Sequence, residues 1–322
     1  DATKIEHMHG KYAILCNEKG GILNDPVLLR LSEDEFWFSI SDSDLLLWLQ
    51  GVNVAKKYDV EIDEIDVCPV QIQGPLSEDL MAKLAGEELR EIPYYGLMET
   101  KVGGADCVVS QTGFTGEKGY EIYVRDAHEN AEKMWNAVLE AGEEFGLMVI
   151  APAHHRRIAA GILSWGQDLD HETSPFQVNL SYQVPRSKKS DYIGKEELER
   201  QRAIIDEGKA PFKMKMVGIT LGGKEITDYA PDFWLITDTQ DNEVGYVTSP
   251  WWSPELETNI ALAWVPWDQS EVGTKFKVKL PDEYSVESGI PVDAEIVDVP
   301  FRESVNPNKR EVQAAKGLDY AD

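Results

Sequence analysis

The sequence predicts an α+β body over residues 1–210 followed by a small all-β module over residues 211–304, with a polar tail at 305–322. Three observations predict it. Up to about residue 205, strand-like alternating runs are interleaved with segments of helical periodicity. From about Lys213 onward only short strand-like runs recur, evenly spaced and broken by Gly, Pro and Asp, which is the pattern of a barrel or sandwich. Finally, 322 residues at 42% hydrophobic and 28% charged are enough chain for two domains, or three small ones, with a sizeable core.

In chain order, EFWFSI at 35–40 alternates at period two and predicts a strand. Ser41, Asp42 and Ser43 then offer N-caps to an apolar helix through Leu45, Leu46, Trp48 and Leu49. VQIQ at 70–73 is a second strand, stopped by Gly74-Pro75. Ser77 is expected to cap a short helix carrying Leu80, Met81 and Leu84, with Gly86 as its stop. Strands at 106–110 and 120–124 flank a Gly-rich loop at 112–119. The longest helix is expected at 129–144, with Met134, Trp135, Val138 and Leu139 on one face, and a charged helix at 195–205. Beyond it, 214–221, 234–237, 245–248, 259–265, 275–280 and 294–299 are the strands of the β module.

Charge and composition exclude several functions. With 31 basic and 58 acidic residues the chain carries −27, which repels phosphate backbones and argues against nucleic acid as a partner. No apolar run approaches the roughly 18 residues that span a bilayer. Neither a signal peptide nor a CxxC pair is present, and Cys16, Cys68 and Cys107 are widely spaced. That pattern fits a reducing, cytoplasmic setting and no metal site. The chain opens at Asp1 and enters strand-like sequence almost at once, as a fragment would.

Generic catalytic signatures are missing too. There is no GxxxxGK[ST] or GxGxxG, and Ser164 lies in GILSWG, not GxSxG. The pairs His7/His9 and His154/His155 lack zinc spacing and are expected on the surface or at caps. The acids of 168–172 (DLDHE) are expected in a solvated turn before Pro175.

Two segments carry chemistry. In CNEKGGILNDPVLL (16–29) a Gly-Gly turn leads to Asn24-Asp25 within an apolar strand, and a carboxylate there is costly to bury unless it meets a ligand or caps a turn. In QTGFTGEKGYEIYV (111–124) three glycines allow close approach of a flat ligand and Phe114 and Tyr120 offer stacking. Glu121 opens a strand, where a carboxylate accepts two parallel N–H bonds, as from a pterin, unless the segment is a plain hairpin loop.

Taken together with QIQGP (71–75), SWGQDLDHETSPFQVNLSY (164–182), YIGKEEL (192–198), GYVTSPWWSPELETNIALAWVP (245–266) and VPFRESVNP (299–307), these segments resemble, in the same order, the tetrahydrofolate-dependent T-protein family. The family includes glycine-cleavage aminomethyltransferase and dimethylsulfoniopropionate demethylase. GGILNDPV and EDEFWFSISDSDLLLW (34–48) look more like the demethylase branch, TGFTGE more like the glycine-cleavage branch.

The resemblance implies a three-lobed cloverleaf with a terminal β-barrel, and a first lobe lacking its early strands. It implies tetrahydrofolate as cofactor, Asp25 as the catalytic acid facing the reacting nitrogens, and Glu121 as the pterin grip. Tyr12, Val27, Tyr94 and Phe114 would line the pocket, Phe114 standing where a tyrosine is usual. Arg157 matches a family arginine. The family's folate-contacting arginine is missing from Pro152-Ala153-His154, which counts against glycine cleavage. Trp165 and Trp252 would face a methylated cation by cation–π contact. The implied activity is transfer of a methyl or methylene unit from a small donor, such as a sulfonium or quaternary ammonium compound, to tetrahydrofolate. The alternatives are aminomethyl transfer from a lipoylated carrier protein, a non-catalytic folate-binding protein of RNA modification, and an accessory module of a demethylating oxidase.

Overall fold

The computed structural model describes residues 2–40 and 44–301; the expected caps Ser41, Asp42 and Ser43, and the 305–322 tail, lie outside them. The chain enters β1 (His9–Tyr12), then a two-stranded pair, β2 (Leu15–Cys16) and β3 (Ile22–Asn24), then β4 (Val27–Arg30) and β5 (Phe36–Ser39). β4 lies between β1 and β5 and is antiparallel to both, so Tyr12 and Ser39 flank Val27 on either side. α1 (Leu45–Lys56) buries only Leu45 fully, and Leu46, Trp48 and Leu49 remain half-buried.

A four-stranded antiparallel sheet follows in the order β6-β9-β8-β7, from β6 (Val67–Gln73), β7 (Leu97–Val102), β8 (Ala105–Ser110) and β9 (Gly119–Arg125). α2 (Ser77–Ala85) starts at Ser77, whose hydroxyl bonds Lys118 O and not the helix's own N–H groups. It ends on Gly86 at φ +107°. α3 (Ala127–Gly142) is the long amphipathic helix, burying Met134 and Val138. Alternation gives the sheet two distinct faces. Val109, Tyr120, Ile122 and Val124 pack with Leu80 and Met81 of α2 and Met134 and Val138 of α3. On the other face Val108 and Tyr123 pack with Leu29, Leu31 and Trp37 from the β1-β4-β5 sheet. Tyr120, expected to stack on a ligand, is therefore a core residue of the helical side. Glu121 and Tyr123, at the alternate positions of the same strand, point the other way.

α4 (His154–Ala159) and α5 (Lys195–Asp206) precede a closed six-stranded barrel. Its strands are β10 (Met214–Leu221), β11 (Trp234–Thr237), β12 (Glu243–Ser253), β13 (Thr258–Pro266), β14 (Lys275–Val278) and β15 (Val292–Val297), closing in the order β10-β13-β12-β11-β14-β15. Inward residues such as Ile219, Ile236, Val247, Ala263, Phe276 and Ile296 fill it. All six sequence-read strands are present, and closure removes every free edge.

By compactness the described residues form two units. One comprises 2–13 and 24–151; the other comprises 14–23 and 152–301, so the β2–β3 hairpin counts mostly with the barrel-containing unit. There Gly21 approaches so closely that a Cβ would sit 1.9 Å from His171 O, and Ile22 N bonds Thr173 O at 2.9 Å. The Gly-Gly turn is thus built for this contact. Among the described residues no helix is long and apolar enough to cross a membrane.

Candidate active site

In the first unit the chain breaks between β3 and β4 at Asp25-Pro26, and this break frees the Asp25 side chain from strand alternation. Tyr12 OH, at the end of β1, donates to Asp25 Oδ2 at 2.9 Å. Tyr12 is also the cross-strand partner of Val27, so three of the expected residues are gathered by one antiparallel register. Asp25, Tyr12 and Val27 are all half-buried. Asn24 is fully buried, and among the described residues neither its Oδ1 nor its Nδ2 has a partner. An amide in that condition costs about 1–3 kcal/mol per unmet group, so a polar ligand atom beside Asp25 is a natural complement.

Glu121 lies on the β9 face turned toward the β1-β4-β5 sheet. Thr112 Oγ1 and Tyr123 OH both donate to Oε2, the latter at 3.1 Å. Ser110 Oγ lies 2.8 Å from Thr112 Oγ1, and Tyr123 OH also contacts Ser39 Oγ at 3.1 Å. Among the described residues both donors fall on one carboxylate oxygen, which leaves Oε1 to accept from a ligand. Burial pushes the Glu121 carboxyl above the usual range, against the two hydroxyl bonds that lower it. Burial, and then the charge of Glu121, push the Tyr123 phenol upward, so it remains a proton donor.

Tyr94 packs edge-on against Tyr95 at 4.5 Å, and Tyr95 is fixed in turn by Gly10 N to Tyr95 O at 2.7 Å and Tyr95 N to Gln111 O at 3.1 Å. Phe114 follows Gly113 in the loop and keeps 38% of its surface exposed, available to stack on a flat ring. Tyr12, Asp25, Val27, Tyr94, Phe114 and Glu121 thus all belong to this unit.

The other three expected residues lie in the second unit. Arg157 is 1% exposed, and both of its Nη atoms are engaged internally, while its Nε is buried without a hydrogen-bond partner among the described residues. Nη1 reaches Asp168 Oδ2 at 2.6 Å and Ile162 O at 3.3 Å; Nη2 reaches Ser249 Oγ at 2.8 Å and Gln167 Oε1 at 3.2 Å. Asp168, expected in a solvated turn, is buried as the hub of this network. Its Oδ1 accepts from Thr248 and Ser249 at 2.6 and 2.5 Å, and its Oδ2 also accepts from Ser164 N at 2.8 Å. These two residues tie α4 to β12 as a framework.

Trp165 is half-buried with Nε1 donating to Ile22 O at 3.1 Å, and Trp252 sits in β12 opposite Asn259. No ring contact joins them among the described residues. His154, expected at the surface or a cap, is half-buried between Trp251 (5.8 Å, stacked) and Tyr229 (5.5 Å). Desolvation, then Arg157, hold its pKa below the ordinary imidazole value. The cysteines are unpaired, and burial raises Cys16 to about 12. Among the described residues no group of three His, Cys, Asp or Glu side chains is placed to hold a metal.

Residues 1–188 match the GCVT N-terminal domain, and residues 215–302 match the glycine cleavage T-protein C-terminal barrel domain. The chain belongs to the glycine cleavage T-protein family. Among its relatives is a dimethylsulfoniopropionate demethylase, DmdA, from Ruegeria pomeroyi, 33% identical over 271 residues, which cover 84% of this chain and 71% of the relative. An aminomethyltransferase from Clostridium botulinum is also 33% identical, over 277 residues, at the same 84% and 71% coverage. The fold is shared with the glycine cleavage system aminomethyltransferase T of Bartonella henselae, at a TM-score of 0.72 and 22% identity over 94% of this chain and 78% of that one. Membership makes this T-protein relative an enzyme that transfers one-carbon groups.

Proposed function

We propose that the protein transfers a methyl group from a small methylated donor, a sulfonium or quaternary ammonium compound, to tetrahydrofolate. The observation that carries the folate assignment is Glu121, a half-buried carboxylate with one oxygen fixed by Thr112 and Tyr123 and the other left to a ligand. Asn24, with both amide atoms unmet beside Asp25, fits a polar heterocycle. Tetrahydrofolate supplies the nucleophilic nitrogen that accepts the one-carbon unit. Glu121 holds the 2-amino edge of the pterin, Phe114 and Tyr94 wall the ring, and Asp25, fixed by Tyr12, orients the cofactor and balances charge where the unit arrives.

A second reading, aminomethyl transfer from a lipoylated carrier protein, is favoured by the equal identity to the clostridial aminomethyltransferase. Incubating the protein with tetrahydrofolate and a panel of methylated sulfonium and ammonium donors, or with an aminomethylated lipoyl carrier, separates the two. Appearance of 5-methyltetrahydrofolate supports the first reading. Formation of 5,10-methylenetetrahydrofolate from the carrier alone replaces it with the second.

A further inference from the structure

Gln71 was not among the residues expected at the site. It lies in β6 directly opposite Glu121 in the β6–β9 register, and Ser110 lies opposite Glu121 on its other side. Directly opposed residues leave the same face of a sheet with Cβ atoms about 4.5–5.5 Å apart. Gln71 and Glu121 are therefore neighbours, yet they form no hydrogen bond with each other. Gln71 Nε2 is buried and has no hydrogen-bond partner among the described residues. The amide also lies against the loop: a Cβ on Gly113 would stand 2.1 Å from Nε2, so a larger residue at 113 would push the amide aside. Gly113 in turn precedes Phe114, the exposed ring of the same loop.

The row thus presents an acceptor, Glu121 Oε1, next to an unmet donor, Gln71 Nε2. Its chemical complement is a planar ring edge carrying N–H donors beside a carbonyl oxygen. We propose that Gln71 is a second reader of the pterin edge, its Nε2 donating to the 4-oxo group while Glu121 accepts from the neighbouring N–H groups. The assignment rests on Glu121 holding the pterin. It adds a specificity element: discrimination of a 4-oxo ring from a 4-amino ring, whose substituent offers hydrogens where Gln71 needs an acceptor.

The test is calorimetric titration of the whole protein with tetrahydrofolate and with its 4-amino-4-deoxy analogue. Gln71→Leu should weaken tetrahydrofolate about 5–20-fold, the scale of one buried hydrogen bond, and leave the analogue within about twofold. Gln71→Glu, which keeps shape but removes the donor, should move preference toward the analogue. It serves equally if the leucine variant fails to fold. Glu121→Gln is the control and should weaken both ligands. If Glu121→Gln has its effect while the Gln71 variants change both ligands equally or not at all, Gln71 is no reader of the edge. An unchanged affinity in Glu121→Gln overturns instead the pterin grip on which the assignment stands.

Discussion

Asp25 and Glu121 are both carboxylates, and the proposed function gives them different tasks that their settings make testable. Asp25 is half-buried and receives Tyr12 OH at 2.9 Å. Asp25→Asn keeps an oxygen for Tyr12 and removes only the charge. Folate should still bind while single-turnover transfer falls on the order of 10²-fold or more; a rate within a few-fold of wild type ends the catalytic assignment. Glu121 is raised by burial, so its ionised form is present only above a pH higher than the ordinary glutamate range. Pterin N–H groups need the carboxylate, so folate affinity should be full at high pH and lost as pH falls through the raised value. The same sign makes the ionised residue a cost to the folded state, one that grows as pH rises above the unfolded pKa. Glu121→Gln should therefore raise the neutral-pH melting temperature of ligand-free protein while weakening folate by about 1.5–3 kcal/mol. A variant that melts lower and binds equally well would contradict both halves. Asn24→Leu offers a parallel case. Removing two unmet polar atoms should stabilise the protein, by thermal melt, at the expense of ligand binding.

At the scale of elements, the α4–β12 connection explains why the setting of one arginine is not legible in the sequence. Arg157 and Asp168 are 1% and 2% exposed, and the hydroxyls that complete their network, Thr248 and Ser249, are some eighty residues further along the chain. No local pattern announces such a partner, and an acid in DLDHE before a proline has every local mark of a solvated turn. Breaking the pair by Asp168→Ala should cost about 3–5 kcal/mol in denaturant unfolding, because it strands a buried guanidinium. Arg157→Lys should also destabilise, since an ammonium cannot reproduce the forked contacts. A selective loss of folate affinity at unchanged stability would restore the binding role. The barrel strands, by contrast, were legible, because each alternates or runs apolar between Gly, Pro and Asp breaks. The Tyr12–Asp25–Val27 cluster was legible only through family resemblance, since its geometry comes from pairing β1 with β4. Gln71 was invisible for the same reason: its importance lies in the strand it faces, not in the residues beside it.

At the scale of the whole molecule, charge outweighs any single ion pair. The exposed pairs, such as Lys83–Glu144 at 2.8 Å, Arg186–Asp206 at 2.6 Å and Lys277–Asp293 at 2.9 Å, are solvated and each contributes little. Against them stands a net −27 spread along the chain, whose self-repulsion disfavours the compact state. Salt screens both, but not equally. At ~10 mM the screening length is about 30 Å, so most acids on a chain of this size repel one another; at ~0.15 M it is about 8 Å, and only near neighbours remain. Attractive pairs at contact distance keep most of their energy while the long-range repulsion is lost. Raising sodium chloride from ~10 mM to ~0.5 M should therefore raise the melting temperature, on the order of 2–4 °C for each kcal/mol of repulsion relieved. The buried Arg157–Asp168 pair is shielded from solvent and should keep its mutational cost across that range. A melting temperature that falls with salt would mean that the surface pairs dominate after all, and that the acidity of this chain carries no cost in stability for salt to relieve.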